Sequence, residues 1–203
     1  MVVPAVVVST LLGSLNGYVL SKWKFRGSET LFAFMLFGVF MPMQVVLLPM
    51  SQVLGWLGIA SSVWGLMLVH IVAGIPSTTL FFRNYCVGLP DELIKAAQLD
   101  GASFWQIFWR IILPLLKPAI IAMMILTAIG EWNNFLWPLI ITESESMANL
   151  PVAIALLKNS GAGNIGSQGP LMAFALLISL PTILLYFVTQ KHFVRGIALS
   201  GLK

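Results

Sequence analysis

The apolar positions of this chain fall in long blocks separated by short polar connections. Five blocks reach the roughly 20 mainly apolar residues that a helix needs to cross a bilayer. They are Val2 to Leu20, Leu31 to Met50, Val63 to Phe82, Ala119 to Ile141 and Pro170 to Gln190. One stretch breaks the pattern. Pro90 to Pro118 carries Asp91, Glu92, Lys95, Asp100, Arg110 and Lys117, with Arg83 just ahead of it. A charged, helix-forming segment between such flanks belongs in water, and it is the part of the chain best placed to meet a soluble partner. A second polar connection, Thr142 to Gly169, encloses the apolar run Leu150 to Leu157. That run is too short to span and predicts a short interfacial or re-entrant helix.

Residues inside the blocks modify this picture. Pro42 and Pro49 predict a kink or break of the second span near Pro42, because proline lacks the N–H a helix interior uses. Pro76 lies in the third span and Pro181 in the middle of the fifth. In the first span Gly13 and Gly17 form a small-xxx-small pair, with Ser14 and Asn16 beside them. Such a pair either marks a helix interface or is glycine tolerated in any membrane helix, and the pattern leaves both open. The tail from Gly196 to Lys203 reads as small and flexible.

The polar stretch has its own architecture. Pro90 suits the first turn of a helix, and Asp91 and Glu92 complement the positive helix end. Ala96 and Ala97 are small enough for a partner backbone to come close. Asp100-Gly101 ends this short helix, since glycine takes up the left-handed geometry of a sharp turn. Ser103 and Gln106 form a capping box for a second helix, whose Phe104, Ile107, Phe108 and Ile111 share one face. Pro114 and Pro118 are expected to end it before the fourth span. Helix, glycine elbow and helix together suit insertion into a groove on another protein. A plain connecting loop explains the polarity but not the length, the two caps and the elbow at once.

Composition fixes the broad class. Of 203 residues 59% are hydrophobic and 9% charged, with a mean hydropathy of +0.95. Soluble domains carry about 25% charged residues, so the chain is an integral membrane protein. The net charge of +4 comes from basic residues too few and scattered for nucleic acid, and they are better read as topology signals. Of eleven Lys and Arg, only Lys158 falls outside the first connection, the third connection and the C-terminal tail. The positive-inside rule then puts residues 83–118 and the C-terminus in the cytoplasm and the N-terminus outside. A chain that starts outside and has five spans is expected to lack a first helix. The single cysteine, Cys86, excludes an internal disulfide and has no companion for a metal site; it reads as a small buried apolar residue.

Candidate chemistry concentrates in the fourth span, in Glu131, Trp132, Asn133 and Asn134, followed by Trp137. A carboxylate in hydrocarbon costs about 2.5–3.5 kcal/mol on insertion scales, so Glu131 is expected to face other helices or a wet cavity. Amides, a carboxylate and aromatic faces suit the binding of a sugar, and the four residues are taken as a translocation-pathway lining. Interhelical hydrogen bonding with an aromatic belt is the plainer reading of any one of them. His70, in the third span, is either a proton or ligand site or a hydrogen-bonded packing residue. The absence of an acid in its own helix favours packing.

The polar stretch resembles the EAA loop of ABC-importer permeases, with the pattern E-A-A-x3-G-x9-I-x-L-P. Here Lys95-Ala96-Ala97 is followed by Gly101, Ile111 and Leu113-Pro114 at the matching spacings. Lys95 stands where the family usually has glutamate, and Glu92 lies one turn earlier. Phe25-Arg26-Gly27, Leu99 to Ser103, Trp132-Asn133, Trp137-Pro138 and Phe193 to Gly196 extend the resemblance over the chain, to the carbohydrate-uptake permeases of the maltose and glycerol-phosphate type. The resemblance implies an all-α, polytopic membrane helix bundle of the type-1 (MetI-like) permease fold, a single domain over residues 1–203 with five of the usual six spans. It implies a multi-pass protein of the bacterial plasma (inner) membrane that forms half of a sugar pathway. Its partners would be a second homologous permease, two ATPase subunits and an extracellular sugar-binding protein. Glu92, Ala96, Ala97, Asp100, Gly101, Ala102, Ser103 and Pro114 would couple it to an ATPase. ATP and Mg would be used by that ATPase, and this chain, which has no G-x-x-x-x-G-K-[ST] motif, would bind no cofactor. Two rivals stand beside this reading. A proton-coupled secondary carrier would use Glu131 and His70 as relay groups, and would be expected to carry inverted repeats, which the sequence does not display. An intramembrane enzyme would need a base near Cys86, and no histidine or acid is close to it in sequence.

Overall fold

A computed structural model describes residues 1–141, 149–159 and 168–200. Among these residues every regular element is helical. The order is α1 (Val2–Lys22), α2 (Ser28–Phe40), α3 (Met43–Trp56), α4 (Val63–Val87), α5 (Asp91–Leu99), α6 (Phe104–Ile107), a π-turn (Phe108–Ile112), α7 (Leu113–Trp132), α8 (Leu136–Ile141), α9 (Leu150–Asn159) and α10 (Gln168–Ser200). Four helical stretches are long and apolar enough to cross a membrane. They are Val2–Lys22, Val63–Val87, Phe104–Trp132 and Met172–Gln190. The α2–α3 pair makes a fifth if counted as one broken span, bent by 105°. The bend falls where Pro42 predicts it. Met41, before the proline, is extended at φ −70° and ψ 125°, and Pro42 caps α3, as expected from the clash of a proline ring with a helical predecessor.

The fourth span departs from expectation. Pro114 and Pro118 do not end the second helix of the polar stretch, because α6, the π-turn and α7 run on as one apolar rod from Phe104 to Trp132. The π-turn supplies the reason. Proline removes one N–H and presses on the carbonyl four residues back. For Pro114 that carbonyl belongs to Arg110, inside the π-turn, whose wider bonding pattern accommodates the misfit. The rod then stops at Asn133, so the residues up to Ile141 form the separate helix α8. The predicted short helix within the connection appears as α9. The flanking parts of that connection, 142–148 and 160–167, lie outside the described residues. Helix α10 continues to Ser200 through most of what the sequence reads as a flexible tail; 201–203 lie outside the described residues.

Helices α1 and α4 make the most extensive contact in the bundle. Gly13 lies against Thr78, and Gly17 against the backbone of Phe82 and Arg83. Thr78 Oγ1 donates across the seam to the carbonyl of Ser9 at 3.1 Å. The small-residue pair is therefore a helix interface. One buried cluster joins Tyr18, Phe82, Cys86, Ile94, Ala97, Ile107, Phe108, Ile112 and Leu116 around the base of α5, and a second joins Leu47, Leu54, Leu66, Val69, Trp137 and Ile141 between α3, α4 and α8.

Candidate functional sites: the elbow helix and the polar cavity

Helix α5 has the polarity pattern of a surface helix. Ile94 and Ala97 turn inward to Tyr18, Phe82 and Ile107, while Glu92, Leu93, Lys95, Ala96 and Leu99 are exposed. Pro90 is its N-cap, one position ahead of the expected first turn, with Asp91 and Glu92 opening the helix. Gly101 closes it at φ +79°. The Ala102 N–H donates to Ala97 O at 2.9 Å and the Gly101 N–H to Gln98 O at 3.0 Å, the paired bonds of a Schellman stop. The next helix starts immediately. The Gln106 N–H donates to Ser103 Oγ, and the Ser103 N–H donates to Gln106 Oε1 at 2.7 Å. The elbow and the second cap stand where the sequence puts them, and the first helix starts one residue later. Ala96 and Ala97 differ in role: Ala97 is buried in this chain's own core, and Ala96 faces out. Pro114, Asp100 and Ser103 are exposed and Ala102 is half-buried.

One tether not evident from the sequence holds this region to the bundle, and a second joins the helices beside it. Lys22 Nζ, at the last turn of α1, donates to Asp91 Oδ1 at 2.6 Å and to Leu89 O at 2.6 Å. The hydrogen bond and charge of Lys22 hold the Asp91 carboxyl below the usual carboxylate range. Arg83, on α4, reaches Glu29 Oε1 at 3.2 Å and Leu20 O at 3.4 Å, and its guanidinium sits 3.7 Å from the Phe32 ring centre. It thus joins α1, α2 and α4. Tyr18 stacks on Phe104 and Phe108 at 5.5 and 5.8 Å. The signal in the sequence was the position of Lys22 and Asp91, opposite charges at the end of an apolar block and at the start of a helix.

The four fourth-span residues separate. Glu131 meets His70 Nδ1 across the α4–α7 interface, so the acidic partner absent from the histidine's own helix comes from another. Glu131 and Asn134 line a cavity of about 310 Å3 with His70, Ser77, Thr127 and Trp137. Asn134 Oδ1 accepts from the Trp137 N–H at 3.2 Å, which starts α8, and Asn134 O accepts from Asn149 Nδ2 at 2.6 Å. Trp132 turns the other way. Its Nε1 donates to Ile178 O on α10 at 3.0 Å, and with Glu131 it lines a second cavity of about 480 Å3 beside Val3, Asn149 and Pro151. Asn133 is exposed and donates back to Ile129 O at 2.8 Å. The helix stops at Asn133, so consecutive residues leave it in different directions. Ser77, Thr127 and Trp137 were not singled out together by spacing, because they come from three helices.

Several membrane-crossing helices, a capped helix presented outside them on a glycine elbow, and a polar cavity between two spans define a polytopic membrane transport subunit. The chain belongs to the family of binding-protein-dependent transport system inner membrane components, whose model matches residues 9–199. It is similar to the arabinooligosaccharides transport system permease protein AraQ of Halalkalibacterium halodurans, 35% identical over 198 residues, covering 98% of this chain and 69% of that one. It is also similar to the sn-glycerol-3-phosphate transport system permease protein UgpE of Yersinia enterocolitica, 33% identical over 184 residues, covering 90% and 64%. The fold matches that of a chain in the crystal structure of a bacterial ABC transporter involved in the import of the acidic polysaccharide alginate, with a TM-score of 0.69 and 24% identity over 94% of this chain and 73% of that one. The protein is a multi-pass transport permease subunit of the inner membrane rather than an enzyme.

Proposed function

We propose that this chain is the permease subunit of an ATP-driven sugar importer, that it forms half of the pathway with a second homologous permease, and that α5 docks into a cleft of an ATPase subunit. An extracellular binding protein would deliver the sugar, and residues 83–118 would face the cytoplasm with the C-terminus. What carries the reading is α5 itself. It presents Leu93, Ala96 and Leu99 outward, with Leu99 90% exposed, on a stop-and-restart elbow that leads without interruption into the rod from Phe104 to Trp132. An apolar, small-residue face on a helix that already has its own core face has the form of helix-in-groove recognition. Glu92 supplies an outward carboxylate one turn before Lys95, which takes the position of the motif glutamate. The grouping of the basic residues supports the cytoplasmic placement, and the names of the relatives support a carbohydrate or related cargo.

The test is co-purification of the membrane complex with an ATPase subunit, with the wild-type loop and with Gly101→Val. The variant should insert and assemble with the partner permease yet lose sugar uptake per ATP hydrolysed. Unchanged coupling in the variant would remove the elbow from the mechanism. The contact between His70 and Glu131 is the observation that favours the rival carrier. ATP-independent, proton-driven uptake by this chain without any ATPase would establish that rival instead.

A further inference from the structure

Among the described residues, the cavity between α4, α7 and α8 contains two ring nitrogens without a hydrogen-bond partner, beside Glu131 Oε2, which has only its contact with His70 Nδ1. His70 and Trp137 are each 2% exposed, and His70 Nε2 and Trp137 Nε1 have no hydrogen-bond partner among the described residues. Buried polar atoms are seldom left so, and both side chains line the cavity. Two further lining residues have spare capacity of the opposite kind. Ser77 Oγ donates to Gly74 O at 3.1 Å and Thr127 Oγ1 donates to Met123 O at 2.8 Å. Each hydroxyl has spent its proton on its own helix and still has lone pairs to accept with. The lining therefore combines an N–H donor, an imidazole nitrogen and two acceptor oxygens within one small space. An alcohol is both donor and acceptor and satisfies all of them.

Charge narrows the ligand. Among the described residues, His70 and Glu131 are the only ionisable ones in the lining, and they contact one another. No described lysine or arginine lines the cavity. A phosphate or carboxylate placed there would meet the Glu131 carboxyl at close range with no lining lysine or arginine to offset it, in a medium that screens poorly. The volume of about 310 Å3 is at the small end of ligand pockets, which run to roughly 300–1,000 Å3, so the space has room for one ring. We propose that this cavity is a subsite for a single uncharged, hydroxyl-rich ring of the cargo, selecting neutral sugars over sugar phosphates and uronates. The proposal rests on the permease reading and assigns this chain, not only its partner permease, a contact with the sugar.

The test uses the assembled complex in nanodiscs with Ala73→Cys as a reporter. Ala73 lines the cavity and is exposed, whereas the native Cys86 is fully buried. The rate of alkylation by a small water-soluble reagent is measured with neutral sugars (arabinotriose, xylose, glucose, maltose) and with glycerol 3-phosphate and a uronate trisaccharide. Ligand well above its Kd should slow the reaction by about threefold or more, for at least one neutral sugar and for neither anion. Trp137→Phe, and independently Thr127→Val in case the first variant misfolds, should leave the unprotected rate unchanged. Each should raise the sugar concentration for half-protection by about fivefold to tenfold, as expected for one lost hydrogen bond. Equal protection by glycerol 3-phosphate, no protection by any neutral sugar (a cavity filled by water alone), or protection unaltered in both variants overturns the subsite. If ATP-dependent uptake by the same wild-type complex is intact, those failures leave the permease reading standing. A wild-type complex that assembles but transports nothing refutes the permease reading, and the subsite with it.

Discussion

The glycine seam between α1 and α4 gives a prediction whose size can be worked from the structure. A Cβ added at Gly17 would lie 2.6 Å from the backbone nitrogen of Arg83 and 2.7 Å from the carbonyl carbon of Phe82. Comfortable carbon contacts are about 3.5–4.0 Å, so the two helices must part by about 1 Å. Backbone cannot rotate away, and overpacking of this kind costs about 1–3 kcal/mol. Alanine returns up to about 1 kcal/mol through helix propensity, leaving a net loss of roughly 1–2 kcal/mol for Gly17→Ala. At Gly13 the added carbon would sit 2.2 Å from Thr78 Oγ1 and 2.9 Å from the Thr78 carbonyl carbon. That displaces the hydroxyl from Ser9 O, and an interhelical hydrogen bond in a membrane is worth about 0.6–2 kcal/mol. Gly55, in α3, has nothing within 4 Å of the point where a Cβ would stand, so Gly55→Ala should be neutral or slightly stabilising. The assay is reversible unfolding in mixed micelles of rising SDS fraction, followed by tryptophan fluorescence. Gly13→Ala and Gly17→Ala should unfold earlier than wild type and Gly55→Ala should not. If all three variants unfold together with wild type, α1 and α4 do not pack at these glycines.

Three further outcomes are expected. Ala96→Trp, on the outward face of α5, should leave melting of the permease within about 0.5 kcal/mol of wild type while abolishing ATPase co-purification. Ala97→Trp, on the buried face, should lower stability by about 1–3 kcal/mol, and identical effects of the two would refute the assignment of faces. The Lys22–Asp91 tether has a definite pH sign. Its folded carboxyl pKa is depressed, so the tether is fully present above the ordinary aspartate value of about 3.9 and is lost only as pH falls through the depressed one. Proteolysis of the α5 region should therefore be flat from about pH 7 to pH 5 and rise only in stronger acid. Asp91→Asn should show that same susceptibility at neutral pH, and a rise near pH 6 in wild type would point to another group. Trp132→Phe removes the donor to Ile178 O and should loosen α10, read as faster hydrogen exchange in Met172–Gln190 with little change in α4.

The features legible in the sequence are those set by local chemistry. Block length defines the spans, Pro42 the break, and Ser103, Gln106 and Gly101 the elbow with its caps. Each depends on residues within a few positions of one another. Pro114 misleads because a helix stop and a π-turn place the same residue after the same apolar run, and only the hydrogen bonding upstream distinguishes them. His70 and Glu131 are paired in the sequence only as relay groups of the rival carrier, and their direct contact is out of reach for a different reason. A membrane helix is apolar around its whole circumference, so it has no polar face to say which side meets a neighbour. Grouping Glu131 to Asn134 as one lining likewise assumes a continuous helix, and the stop at Asn133 divides them between the cavity, α10 and an exposed surface.

The elbow and the cavity are joined by two covalent routes, one through α7 and one through the three residues 88–90 into α4, and an ion pair to α1 braces the second. From the elbow, the rod of 29 residues carries Glu131 near its far end, about 40 Å along at 1.5 Å per residue. From the first turn of α5, Lys22 ties Asp91 to α1, and the glycine seam binds α1 closely to α4, which holds His70. A displacement of α5 therefore reaches Glu131 through α7 and His70 directly through α4, which α1 braces. Helix α1 packs far more extensively on α4 than α4 does on α7, so the α4–α7 contact is the weaker of the two and is where a shear between the routes would be taken up. The side chains that face one another across it are His70 and Glu131. A cavity whose lining is divided between those two helices would change shape with such a shear, as the proposed coupling between α5 and a sugar subsite requires.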